Sequence, residues 1–217
     1  MALITIIGAG TGISDGVARL FGKKGYTIAL IARTEDKLQA QVQKLANEGI
    51  TATYAVADVA DENSLKTALF KIRDAFGHAD MILYNAAAVS VKDILEQDWA
   101  IISTQFNVNV GGAFHLAKLV LPFCLKENKG KIFFTGGGFA LGGDPQWTSL
   151  SIGKAGLRNL VQALAKKAEG THVHIAQLTV CGYVNPQDAK YSPDKIAEQY
   201  WRLFEQKAGE FENEVIY

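Results

Sequence analysis

The residues best suited to chemistry begin in a glycine string near the N-terminus, Gly8-Ala9-Gly10-Thr11-Gly12-Ile13-Ser14-Asp15-Gly16. Glycines let a chain turn tightly and bring backbone N–H groups against a phosphate, where a helix N-terminus favours negative charge. A plain turn is the alternative reading. The setting favours phosphate, because Leu3–Ile7 reads as a first strand, a helix follows at once, and a second strand begins about 20 residues on. That second strand ends in Ala32-Arg33. A carboxylate at this edge would suit the ribose hydroxyls of NAD; Ala32 offers none. The Arg33 guanidinium suits a bidentate grip on the 2′-phosphate of NADP(H) instead. A surface arginine opening a loop is the alternative. Gly8, Gly10, Thr11, Gly12, Ile13 and Arg33 are thus the expected cofactor residues at this end. Asp58, just past a third strand, falls where an adenine amino group would lie, or else caps the helix that follows.

Such residues work only if regular elements hold them, and the chain alternates short apolar runs with longer amphipathic ones. Strands are expected at Leu3–Ile7, Thr27–Ala32, Thr51–Val56, Met81–Tyr84, Lys131–Thr135, Val173–Val180 and Glu214–Tyr217. Helices are expected at Ile13–Phe21, Glu35–Asn47, Glu62–Phe76, about Glu96–Lys126, Leu150–Ala168 and Pro193–Lys207. Strands apolar throughout imply a sheet buried on both faces. Repeated βα units imply an α/β, Rossmann-type, doubly wound parallel sheet of about seven strands with helices on both faces. At 217 residues the chain is expected to form a single domain over 1–217.

Composition excludes several classes. Lys+Arg and Asp+Glu both number 22, which gives no electrostatic reason for a nucleic-acid or anionic-membrane partner. Two cysteines, Cys124 and Cys181, make no disulfide framework, and no Cys/His cluster has metal-ligand spacing. His172 and His174 sit two apart in an apolar run and read as structural. The apolar N-terminus lacks a basic flank, and no apolar run approaches the ~20 residues needed to cross a membrane. A cytoplasmic location is the expectation.

Several further stretches, in order along nearly the whole chain, resemble the short-chain dehydrogenase/reductase superfamily. The glycine loop is similar to its TGxxxGxG, matched at Gly8 and Gly12, with Ser14 in place of the last glycine. Asn85-Ala86-Ala87 resembles the NAG motif that lines the nicotinamide side. Asn109 matches the asparagine that holds a water in the proton relay, and Lys154 the lysine of YxxxK. Cys181-Gly182-Tyr183-Val184 occupies the PG segment, with Cys181 where proline is usual. The resemblance implies NADP(H)-dependent oxidation or reduction of a small carbonyl or alcohol substrate. It places Asn85, Ala86, Lys154, Gly182 and Val184 on the cofactor. It also implies a homodimer or homotetramer packed through the helices near Glu96–Lys126 and Leu150–Ala168.

Two side chains that the resemblance calls for are missing. A serine after the fifth strand would hydrogen-bond the substrate carbonyl, and that position reads as Gly137. A tyrosine four residues before the lysine would pass the proton, and that position is Leu150. No tyrosine occurs from Asn85 to Gly182 and no serine from Thr104 to Thr148, so sliding the alignment restores neither. Leucine moves no proton and glycine has no side-chain donor. The replacements on offer are Tyr183, Thr135, Ser149, Ser151, or Lys154 with its pKa lowered by burial, alongside Asn109. The competing readings are an inactive NADP(H)-binding sensor or partner-binding protein and, ranked last, non-redox chemistry on the same scaffold.

Overall fold

The computed structural model describes residues 2–217. Seven strands, β1 (Leu3–Ile7), β2 (Thr27–Ala32), β3 (Ala52–Val56), β4 (Met81–Tyr84), β5 (Gly130–Gly137), β6 (Val173–Val180) and β7 (Glu214–Ile216), form one sheet. Its order is β3-β2-β1-β4-β5-β6-β7, and every neighbouring pair is parallel. The expected doubly wound sheet with helices on both faces is therefore what forms. All of β1 and all of β6 are buried; β1 is accordingly apolar or small at every position, whereas β6 also buries the polar His174, Gln177 and Thr179.

Helices α1 (Ile13–Lys23), α2 (Glu35–Asn47) and α7 (Pro193–Glu205) cover one face; their Val17, Phe21, Leu38 and Tyr200 pack with Ile4 and Ile6 of β1. Helices α3 (Glu62–Phe76), α5 (Gly112–Glu127) and α6 (Thr148–Lys167) cover the other, where Leu65, Leu116 and Leu157 pack with Phe134. β2 and β4 flank β1, so the chain winds outward in two directions from it. A crevice opens at the carboxyl ends of strands where the winding reverses. Ile7 pairs with Tyr84 in register, so Gly8 and Asn85 leave the sheet side by side at that crevice.

A three-residue 3-10 turn, Ile94–Glu96, precedes α4 (Trp99–Phe106). A π turn, Asn107–Gly111, then joins α4 to α5. Together they make one helix, Trp99–Glu127, of 29 residues with a window of mean hydropathy 1.5. By length and average composition that is enough to cross a membrane, although the sequence holds no unbroken apolar run of this length. Polar Thr104, Gln105, Asn107 and Asn109 interrupt any continuous apolar run, but the average over the helix stays high. The helix is packed into the domain, with 44% of the window buried.

Candidate cofactor and active site

Glycine at position 8 is demanded twice. Its φ is +85°, and a Cβ there would lie 2.3 Å from Ala86 N. Its N–H and that of Ala9 donate to Ile31 O (2.8 and 3.1 Å), which pins the loop over β2. Gly12 then caps α1 without a side-chain hydrogen bond. The first N–H groups of a helix have no intrahelical partner, so this uncapped end is a ready donor set for an anion. A Cβ on Gly10 or Gly12 would meet no atom within 4 Å, so both glycines face open space.

Ser14, which stands in place of a glycine, is a bridge. Its hydroxyl donates to Gly8 O and accepts from Asn85 Nδ2, both at 2.8 Å, and the residue is fully buried. One side chain thus ties the turn after β1 to the loop after β4.

A cleft of about 690 Å³ opens in front of this loop. Its wall carries Gly8, Gly10, Thr11, Arg33, Asn85 and Ala86 of the expected residues, together with Ala32. Arg33 is exposed, and no carboxylate among the described residues pairs with it. Helix α2 adds Lys37, Gln41 and Lys44, spaced so that one helix face looks into the cleft, and sequence reasoning missed all three. Gln41 Nε2 donates to Gly10 O (3.1 Å). Lys44 Nζ reaches both oxygens of Asp15 (3.1 and 2.9 Å), a buried carboxylate that also takes Arg19 Nε at 3.2 Å. The residue types fit a dinucleotide with an extra phosphate: backbone donors at one end, free cations at the other.

The Asp58 side chain is not the cap of the helix that follows. Its Oδ1 accepts from Ala60 N (3.0 Å), which closes a local turn, and Asp61 is the N-cap of α3. Asp58 lies just off the cleft wall formed by its neighbours Ala57 and Val59.

The second group of expected residues gathers on the α6 side. The π turn places Asn109, 1% exposed, against the loop after β4, where Oδ1 accepts from Ala88 N (2.8 Å) and Nδ2 donates to Ala88 O (2.9 Å). Gly153 must be small here, since a Cβ would lie 2.6 Å from Asn109 Nδ2. Lys154 follows, and its Nζ donates to Thr135 O at 2.7 Å. Burial lowers the Lys154 pKa to about 8, because the charged ammonium loses water and gains one carbonyl. Gly137 flanks the lysine stem: a Cβ there would sit 3.7 Å from Lys154 Cγ and Cε. Leu150 lies one turn earlier on α6 and is half-buried.

The structure does not bring Tyr183 into this group. Its side chain is 86% exposed, and it lies outside the cleft wall. Gly182 is held by packing, since a Cβ would lie 2.2 Å from the Tyr191 ring, and Val184 packs on the α1/α7 face. Ile13 turns into that same core. These three, with Gly12, Asn109 and Lys154, border the cleft's elements without forming its wall.

The family model described as short chain dehydrogenase matches residues 2–196. The chain belongs to the short-chain dehydrogenase family. Among curated proteins, this short-chain dehydrogenase is 27% identical over 174 residues to an uncharacterized oxidoreductase of Thermotoga maritima, covering 80% of this chain and 68% of that one. It is 24% identical over 198 residues to the 3-oxoacyl-[acyl-carrier-protein] reductase FabG of the same organism, covering 89% and 78%. A crystal structure of a metagenomic short-chain oxidoreductase in complex with NADP superposes with a TM-score of 0.88 at 21% identity, over 99% of this chain and 95% of that one. That likeness speaks to the fold.

Proposed function

We propose that this short-chain dehydrogenase is an NADP(H)-dependent oxidoreductase that acts on a small carbonyl or alcohol by an altered proton route. The observation that carries the cofactor choice is the cleft's outer wall, where Arg33 and Lys37 offer cations to a 2′-phosphate and Ala32 stands where a carboxylate would select NAD. NADP(H) complexes of similar folds support the same choice. The α1 N-terminus and the N–H groups of Gly10–Ile13 would hold the pyrophosphate; Asn85 and Ala86 would line the nicotinamide side. Bound cofactor supplies or accepts the hydride.

The proton is assigned to Lys154. A general acid works best with a pKa near the working pH, and burial brings this ammonium to about 8. Gly137 and Leu150 offer no hydroxyl beside it, so neither the usual carbonyl donor nor the usual phenol is part of this route. Asn109 positions the loop at Ala88 rather than touching the lysine. Tyr183, in solvent, is the weaker acid candidate. The experiment is NADPH oxidation with a panel of small ketones and aldehydes, comparing the unmutated protein with Lys154→Met.

A second reading, a non-catalytic NADP(H)-binding protein, is favoured by one contact: Lys154 Nζ is turned to Thr135 O and is absent from the cleft wall. We further propose that the chain self-associates. Trp99, Ile101, Phe106 and Phe114 on the α4–α5 helix and Ile152 on α6 are large, apolar and exposed, which an isolated domain would bury.

A further inference from the structure

A second cavity, about 490 Å³, lies at the opposite end of the sheet from the cofactor cleft. Gly77–Asp80 and Gly130, at its rim, lead into β4 and β5, whereas Gly8 and Asn85 leave the carboxyl ends of β1 and β4. The volume lies within the roughly 300–1,000 Å³ of small-molecule sites. Its floor is Ile82 with Leu3 of the sheet, and its walls are Leu69 and Ile72 from α3 and Leu119 and Phe123 from α5. None of these takes part in the proposed redox site.

The rim is charged with one sign. Lys66, Arg73, Lys129 and Lys131 line the cavity against a single acid, Asp80, whose Oδ2 is taken by Leu3 N at 2.9 Å. Lys131 is spent on the carbonyls of Phe204 and Gln206 at the end of α7. Arg73 is ion-paired with Asp74 through Nε and Nη2 (3.3 and 2.9 Å) and lies 4.4 Å over the Phe70 ring, with Lys66 Nζ 5.6 Å over the same ring. Lys129 has no carboxylate partner among the described residues. His78 stacks on Phe123 at 3.5 Å: burial lowers its pKa first, the Arg73 and Lys129 charges push it down further, and Glu127 offsets part of this. The mouth is therefore electropositive, and the interior behind it is hydrocarbon.

We propose that this groove between α3 and α5 binds an amphipathic organic anion, a monocarboxylate whose hydrocarbon tail lies on Leu69, Leu119 and Ile82 while its headgroup meets Arg73 and Lys129. Tail burial supplies affinity in proportion to apolar area, and the cations select the anion over a neutral or cationic chain of equal length. This site does not depend on the redox reading.

The probe is dodecanoate, titrated calorimetrically below its micelle concentration into full-length protein saturated with NADPH, which keeps the cofactor cleft filled. Dodecanol and dodecyltrimethylammonium are the comparison ligands. One site per chain is expected, with dodecanoate at least about tenfold tighter than either comparison ligand. Lys129→Glu, an exposed change, should weaken dodecanoate about tenfold without weakening dodecanol. Leu119→Trp should fill the groove and remove binding of both, and its melting curve establishes that it is folded. Equal affinity for dodecanoate and dodecanol would overturn the proposal, as would undiminished binding to folded Leu119→Trp. So would a lack of dodecanoate binding by a protein whose dimer, measured by light scattering, dissociates on Leu119→Trp; the groove would then be a subunit interface.

Discussion

A side chain at Gly137 would touch Lys154: its Cβ would lie 3.7 Å from the lysine's Cγ and Cε, at ordinary van der Waals distance. The Gly137 backbone is extended, φ −164° and ψ 153°, so any residue can occupy it without strain. The position is open to a serine, and Leu150, one turn before Lys154, is half-buried.

The double variant Gly137→Ser, Leu150→Tyr should therefore gain carbonyl reductase activity. A phenol beside a buried ammonium has its pKa lowered, and two groups acting on one oxygen are non-additive. An increase in kcat/KM of about 10²-fold or more over the unmutated protein is expected, with each single variant well below it. Steady-state kinetics on small apolar ketones under saturating NADPH checks this. An inert, folded double variant would count against a substrate pose at Lys154.

Arg33 sets cofactor choice. Removing a charge-assisted bond to phosphate costs about 1.5–3 kcal/mol, so Arg33→Ala should weaken NADPH by roughly 10- to 100-fold and leave NADH nearly unchanged. Fluorescence titration of both cofactors measures it. Equal affinities in the unmutated protein would remove the basis for NADP(H).

Ser14→Ala should cost about 1–3 kcal/mol in urea unfolding, because it strands Asn85 Nδ2 at a fully buried hydroxyl site. Ser14→Gly should cost no less, since glycine restores neither bond and adds backbone entropy.

His174 makes stability fall in acid. It is buried, stacked on Phe211 at 4.1 Å, and bonded through Nε2 to Glu212 O at 2.9 Å, while Nδ1 has no partner among the described residues. Burial lowers its pKa to about 4, below the ordinary 6.5. The unfolded chain then binds the proton first, so the stability present above about pH 6.5 is lost as pH falls toward 4, by roughly 3 kcal/mol. His174→Leu should flatten that part of the pH–stability curve, as followed by urea unfolding.

Most of this scaffold is legible in the sequence, because strands buried on both faces are largely apolar, although β6 also buries His174, Gln177 and Thr179. β5 was read as ending at Thr135, yet it continues through Gly136 and Gly137. Those glycines look like a loop, but they pair with Thr179 and Val180, and a Cβ at Gly136 would lie 2.5 Å from Gln177 Nε2. Ser14 read as a departure from a glycine motif, since its bond to Asn85 spans 71 residues of chain. Lys37, Gln41 and Lys44 were invisible as cleft residues, because only the docked orientation of α2 tells which face looks at the glycine loop. Tyr183 failed the reverse way: its position after β6 was right, but the direction of its side chain depends on the turn.

The measurement closest to the central claim is NADPH oxidation by the unmutated protein across small ketones and aldehydes, followed from about pH 6 to pH 10. With Lys154 as the acid, turnover should be present at neutral pH and fall as pH rises through about 8, where the ammonium loses its proton. Lys154→Met should abolish turnover while still binding NADPH. Protein that is shown by titration to be saturated with NADPH, yet oxidises none of it with any carbonyl at any pH, would contradict an oxidoreductase and leave the binding reading in its place.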